Sequence, residues 1–174
     1  HSTLPRLFHM VTASFLTASF LVAGISAYRL TQKQWSPAVV STLKLGVFLA
    51  AILSPLQLVL GDIHGLNTLE HQPQKVAAME GNWDTKSNVP LLLFAIPDEK
   101  ERTNHFEIGI PSGASLILRH NIDGVVPGLN DFPDNHPPVG PVFYAFRIMV
   151  AVGLLMIFMS WLAAYKIRKN RELS

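Results

Sequence analysis

Three apolar runs, each long enough to cross a lipid bilayer, constrain this chain more than any other feature. The first, Leu7 to Arg29, carries Ser14, Thr17, Ser19 and Ser26 as tolerable small polar interruptions. At about 1.5 Å per helical residue its roughly 23 positions reach about 35 Å, against a hydrocarbon core of about 30 Å. Pro37 to Leu60 forms the second run, with Pro55 expected to kink its far end and Lys44 close enough to the near end to snorkel. Pro141 to Tyr165 forms the third. Lipid offers no partner for backbone N–H and C=O groups, so runs of this length must close their hydrogen bonds internally as helices. A composition that is 49% hydrophobic and only 15% charged agrees, being too apolar for a soluble domain of this size.

The expected fold class is therefore all-α integral membrane: three transmembrane helices of a larger helical bundle with a long mixed or irregular extramembrane loop. The segments are a first helix and turn at 1–36, a second helix at 37–60, a loop at 61–140, a third helix at 141–165 and a basic tail at 166–174. Arg29, Lys33 and the cluster from Lys166 to Arg171 fall on one side if the spans alternate, and such clusters mark the cytoplasmic face. The loop and the N-terminus then face outward, which is the periplasm in a bacterium. The chain begins at His1 with neither methionine nor a secretory-signal pattern, so a piece of a longer protein is expected. The absence of cysteine excludes disulfides, thiolate metal sites and cysteine nucleophiles.

A loop of about 80 residues is far longer than a connection requires, and such loops carry function. Leu91 to Ile96, Phe106 to Ile110 and Ala114 to Leu118 read as short extended or buried segments, and Pro127 to Pro141 leads the chain back to the bilayer. Asp98 to Arg102 reads as a solvated turn or helix start, and Gly61 to Gly65 as a turn in which Asp62 caps a backbone amide. His64, His71, His105, His120 and His136 lack metal-ligand spacing, so no zinc site is expected. No phosphate-binding loop, serine nucleophile elbow or nucleic-acid-binding patch is present.

The most informative stretch runs from Gln72 to Trp83. Pro73 suits a first helical turn and Gly81 a C-terminal cap, so a short surface helix is expected. Its cation Lys75 and anion Glu80 lie about 140° apart around that helix and do not form a natural pair, leaving each free to hold something else. Topology puts His9 near the outward end of the first span and Met149 about eight residues into the third, both in the outer half of the bilayer. Imidazole and thioether together make a six-coordinate haem iron of raised potential. The plainer alternatives are a helix-end histidine bonded to a carbonyl and a methionine used in packing. Arg147 is costly inside a span unless it is paired or reaches water, and it points about 200° away from Met149.

Three motifs in order carry a family resemblance over essentially the whole chain. They are Arg6-Leu7-Phe8-His9-Met10, then Gln72-Pro73-Gln74-Lys75-Val76-Ala77-Ala78-Met79-Glu80-Gly81-Asn82-Trp83, then Tyr144-Ala145-Phe146-Arg147-Ile148-Met149-Val150. Together they resemble subunit I of the cytochrome bd-type quinol oxidases, with wording closest to the short-loop, cyanide-insensitive branch. Met10 stands where the family often has threonine.

The resemblance implies that His9 and Met149 ligate the iron of a low-spin haem b, with Arg147 beside it, directed at a haem propionate or a quinol-site carboxylate. It implies a quinol site at Lys75, Glu80 and Trp83: Glu80 as proton acceptor, Lys75 as donor or anchor to a quinol oxygen, and Trp83 as a wall of the site or a packing residue. It also implies a quinol:oxygen oxidoreductase in the bacterial inner membrane, with the loop periplasmic and ubiquinol or menaquinol as donor. A high-spin haem b and a haem d, the remaining helices of subunit I, and subunit II with or without a small accessory subunit complete the implied assembly. The Gly-Arg-x-Pro-Trp stretch and the ligands of the oxygen site are not in this sequence, so the piece alone is not expected to reduce oxygen. Two rival classes are a solute-transporter segment with Arg147 and Lys44 lining a pathway, and a non-catalytic membrane scaffold with a periplasmic binding lobe. The first calls for broken helices in symmetric halves, which the sequence lacks; the second makes Lys75 and Glu80 replaceable.

Overall fold

The computed structural model describes residues 3–169. Five helices and one hairpin follow in the order α1 (Thr3–Thr31), α2 (Pro37–His71), α3 (Pro73–Glu80), β1 (Leu91–Asp98), β2 (Thr103–Ile110), α4 (Gly113–Arg119), a 3-10 turn (Leu129–Asp131) and α5 (Val139–Lys169). Helices α1, α2 and α5 are the three long and apolar enough to cross a membrane, in agreement with the three apolar runs. The basic cluster is described as far as Lys169, at the end of α5; Arg171 lies outside the described residues. The contacts divide into two units, one of residues 1–64 with 151–174 and one of residues 65–150.

In the first unit, α1 tolerates its hydroxyl residues by turning them onto its own backbone. Ser14, Thr17 and Ser19 each donate to the carbonyl four residues earlier. The α1–α2 contact depends on Gly46, where an added Cβ would lie 2.8 Å from both the Ala23 nitrogen and the Ser19 oxygen. Only a residue without a side chain lets the two backbones approach this closely. Between α2 and α5, Ser54 and Ser160 share a buried hydrogen bond of 3.3 Å. Pro55, inside α2, has no N–H to offer the carbonyl of Ala51 one turn earlier. Trp161 of α5 fills that vacancy, its Nε1–H donating to the Ala51 oxygen at 2.9 Å.

The expected turn at Gly61 to Gly65 does not form; α2 runs through it to His71. Each glycine costs a helix about 1 kcal/mol, but continuing the helix satisfies every backbone group and leaves the exposed Asp62 free of any capping task. The helix stops where Pro73 disfavours helical geometry at the residue before it, and Gln72 accordingly adopts φ −143° and ψ 62°.

The second unit is folded rather than irregular. β1 and β2 pair antiparallel, with shifts of register between Leu92 and Phe94 and between Phe94 and Ile96. Asp98 to Arg102 is the hairpin turn: Asp98 Oδ1 accepts from the amides of Lys100 at 2.8 Å and Glu101 at 3.1 Å. These bonds favour the carboxylate and hold the Asp98 pKa below its ordinary value. The run Ala114 to Leu118, read as an extended or buried segment, is instead helical, within α4. It is too short for periodicity to separate helix from strand. Buried Ala77, Ala78, Trp83, Leu129 and Val139 form one core cluster, and Leu92, Ala95 and Phe143 another. Burying a side chain such as the fully enclosed Phe143 is worth about 1.5–3 kcal/mol.

Candidate functional site

The site in the second unit is built around the C-terminus of α3. Gly81 adopts φ +67°, and the Gly81 and Asn82 amides donate back to Ala78 and Ala77 at 3.3 and 2.9 Å, which ends the helix in a Schellman cap. Asn82 then turns inward. Its Nδ2 donates to the carbonyl of Pro127 at 2.9 Å and its own carbonyl accepts from the Leu129 amide at 3.0 Å. These bonds, with Ala77 and Ala78 packed into the core, pull the last residue of α3 out of solvent.

That residue is Glu80, only 6% exposed, so α3 is not the simple surface helix expected from the sequence. Its Oε2 accepts a 2.8 Å hydrogen bond from Arg147 Nη2, making a buried ion pair. Arg147 is itself held on several sides. Its Nε donates to the Leu92 carbonyl, and its guanidinium carbon stands 4.6 Å from the Phe143 ring centroid. The broken register of β1 supplies the acceptors, since Tyr144 one turn earlier donates to the Ala95 carbonyl at 3.1 Å. The start of α5 is fixed by Glu99 of the hairpin turn, whose Oε1 accepts from the Val139 amide at 2.7 Å. Of the two anions expected for Arg147, the structure supplies the carboxylate.

Burial pushes the Glu80 pKa up, and the charge and hydrogen bond of Arg147 oppose the rise without cancelling it. The sign fits the geometry: the carboxylate has surrendered nearly all its water for a single cation. Such a group is poised to take up a proton.

The other sequence-predicted residues are placed as follows. Trp83 is 6% exposed and belongs to the core, its Nε1–H donating to Asn104 Oδ1 at 2.9 Å. It shares with Glu80 the wall of a cleft of about 130 Å³. Lys75 is exposed on α3 and, among the described residues, forms no ion pair, so Glu80 and Lys75 do not share one environment. Met149 is 56% exposed two residues beyond the inward-facing Arg147, as the opposed directions of the two positions require. It belongs to the second unit and His9 to the first.

His9 is half-buried. Gln57 Nε2 stands 3.0 Å from its Nε2 and 3.2 Å from its Nδ1, and the His64 ring centroid is 6.0 Å away. Gln57 Oε1 is buried without a hydrogen-bond partner among the described residues. An imidazole and a thioether match the donor set of a haem iron, and an orphaned buried acceptor beside the imidazole suits a region completed by a further group.

Sequence reasoning missed Phe143, Asn104 and Glu107. Asn104 joins three parts of the site, donating from Nδ2 to the Gly81 carbonyl and to Glu107 Oε1, both at 2.9 Å, while accepting from Trp83. Nothing in its local sequence marks it, because every one of these contacts except that to Glu107 is distant along the chain.

Residues 1–173 match the family described as cytochrome bd terminal oxidase subunit I. The chain is 33% identical over 157 residues, 87% of its own length, to the "Putative cytochrome bd menaquinol oxidase subunit I" of Bacillus subtilis. It is 29% identical over 179 residues, 94% of its length, to the cytochrome bd ubiquinol oxidase subunit 1 of the same organism. These matches cover 35% and 38% of the two relatives, so the chain spans little more than a third of their length. Among solved structures, that of the bd oxidase from Geobacillus thermodenitrificans superposes with a TM-score of 0.81 at 30% identity, over 90% of this chain and 36% of that one.

Proposed function

Because the chain belongs to the cytochrome bd terminal oxidase subunit I family, we propose that it is the quinol-oxidising portion of a respiratory quinol:oxygen oxidoreductase. The observation that carries the reading is the buried Glu80–Arg147 pair, whose acid sits inside the motif that resembles the family's quinol site. Names of the relatives include both a menaquinol and a ubiquinol oxidase, which supports a quinol of either kind as donor.

Oxidation of a quinol releases two electrons and two protons. Glu80 receives the protons one at a time: its raised pKa makes it a competent base while Arg147 keeps it oriented. Trp83 walls the site, and Lys75, on the exposed face of α3, anchors a quinol oxygen when the substrate docks. His9 and Met149 are the residues that would hold the low-spin haem b, and that haem, when bound, accepts the electrons singly. The high-spin haem b and haem d, the other helices of subunit I and subunit II belong to the complete enzyme. The loop faces the periplasm in this reading, with Arg29, Lys33 and Lys166 to Lys169 on the cytoplasmic side, and the loop is of the short, cyanide-insensitive kind.

The test uses the complete oxidase. Glu80→Gln should slow quinol oxidation by roughly 10²-fold or more with haem content intact, since general-base contributions are of that order. Unchanged turnover in a fully haem-loaded enzyme overturns the base role. Met149→Leu should abolish the low-spin haem b band in a reduced-minus-oxidised spectrum; a retained band removes Met149 from the ligand set.

A further inference from the structure

A proton accepted by Glu80 must leave again before the next quinol reacts, and Glu80 is closed in by Arg147 and by the core around α3. It does reach one open space, the cleft of about 130 Å³. Polar and charged side chains dominate that cleft: besides Glu80 it is lined by Asp84, Lys86, Arg102, Asn104 and Glu107. Such a lining suits water better than the apolar ring and tail of a quinol. The volume holds about four waters at roughly 30 Å³ each.

We propose that this cleft is the proton exit of the quinol site, and that Glu107 is the relay residue at its mouth. The inference rests on the reading of Glu80 as the proton acceptor. Three observations carry it. Glu80 and Glu107 line the same cleft, one buried and the other exposed, so the cleft joins the interior to solvent. Asn104 positions the outer carboxylate, donating at 2.9 Å to Glu107 Oε1 while its oxygen is fixed by Trp83 Nε1 at 2.9 Å. The Arg147 bond occupies Oε2 of Glu80, so Oε1 is the oxygen left to exchange a proton with cleft water.

The step balances. As each electron leaves the quinol, an O–H bond breaks and its proton goes to Glu80. Glu80 passes that proton to a cleft water, which passes one to the Glu107 carboxylate, and Glu107 releases it to bulk solvent. Both carboxylates return to their starting state, and two such cycles complete one quinol. The charged groups facing Glu107 across the cleft are Lys86, Arg102 and Asp84, and the Glu80–Arg147 pair closes the inner end. Of these, Arg102 and Asp84 are held by Asn130, through bonds of 3.3 and 2.7 Å.

The experiment compares Glu107→Gln, Glu107→Asp and Glu80→Gln in the complete, haem-loaded oxidase. Glutamine keeps the acceptor oxygen for Asn104, and position 107 is exposed, so the fold and the haem spectrum should be unchanged. Expected for Glu107→Gln is a kcat for quinol oxidation lowered about tenfold at constant KM, recovered by raising the concentration of a small weak-acid buffer that ferries protons into the cleft. Glu107→Asp should recover most of the rate without added buffer. The relay is overturned if kcat is unchanged, if the loss is in KM, or if neither buffer nor aspartate restores the rate. Glu80→Gln separates the two claims: a slow Glu80 variant beside a normal Glu107 variant defeats the relay alone, whereas normal turnover in the Glu80 variant defeats the base itself.

Discussion

Replacing Arg147 with glutamine in the complete enzyme should destabilise it in a way that depends on pH. Arg147 is 13% exposed and Glu80 6%, with 2.8 Å between their bonded atoms, so the pair is buried and directly bonded. Removing one partner from such a pair costs roughly 3–5 kcal/mol when the other must remain charged. Glu80 has an escape, because a carboxyl can take up a proton. Burial already pushes its pKa above the ordinary 4.5, and Arg147 is what opposes that rise. Without the arginine the folded-state pKa climbs further while the unfolded value stays put.

A raised acid pKa penalises the folded state only above the unfolded pKa, and the penalty grows as pH rises towards the folded value. The Arg147→Gln loss should therefore approach the full 3–5 kcal/mol only at alkaline pH. Near or below pH 4.5 it should shrink to about 1–2 kcal/mol, the worth of the lost Leu92 hydrogen bond and Phe143 contact. Thermal or denaturant unfolding of the wild type, both single variants and the Arg147→Gln/Glu80→Gln double variant, repeated across pH, measures this. The double variant should be more stable than Arg147→Gln alone at alkaline pH, with a coupling of at least about 1 kcal/mol. A loss that does not vary with pH, together with additive single effects, would refute the reasoning.

The remaining predictions concern the quinol reaction and the helix contacts. Wild-type quinol oxidation should fall as pH is lowered through the raised Glu80 pKa, above the ordinary 4.5, because the base is then protonated before substrate arrives; Glu80→Gln should lose this acid limb, as a pH profile of kcat/KM would record. Trp161→Phe leaves the Ala51 carbonyl without the donor that replaces the missing amide of Pro55, and should cost about 1–3 kcal/mol in an unfolding assay, against almost nothing for Trp35→Phe on the exposed turn. Gly46→Ala drives a Cβ to 2.8 Å from α1 backbone atoms that cannot step aside, and should lower stability by roughly 1–3 kcal/mol, with the loss growing for Gly46→Val.

The spans were legible because bilayer length and apolar composition depend on residues counted in a row, and α1, α2 and α5 follow them closely. The end of α3 was legible for the same local reason: proline at its first turn and glycine in its cap are conformational requirements of single residues. What sequence reasoning could not reach is contact between distant residues. Glu80 and Arg147 are 67 positions apart, and the burial of Glu80 depends on Ala77 and Ala78, small residues that mark neither a buried face nor an exposed one. The turn expected at Gly61 to Gly65 failed because turn-forming residues are permissive of a turn without compelling one, and an uninterrupted helix serves the backbone better. Asn104 and Glu107 went unread because a polar residue in a loop ordinarily means solvent, and only the hairpin brings them to the cleft.

The central claim, that Glu80 takes the proton from quinol, can be watched directly by infrared difference spectroscopy of the complete oxidase as quinol is added and oxidised. The account predicts a carboxylic-acid C=O band that appears with quinol oxidation, decays as the proton leaves, and is missing in Glu80→Gln. The same band persisting in Glu80→Gln, or no carboxyl signal in the wild type while quinol is being consumed, would contradict it.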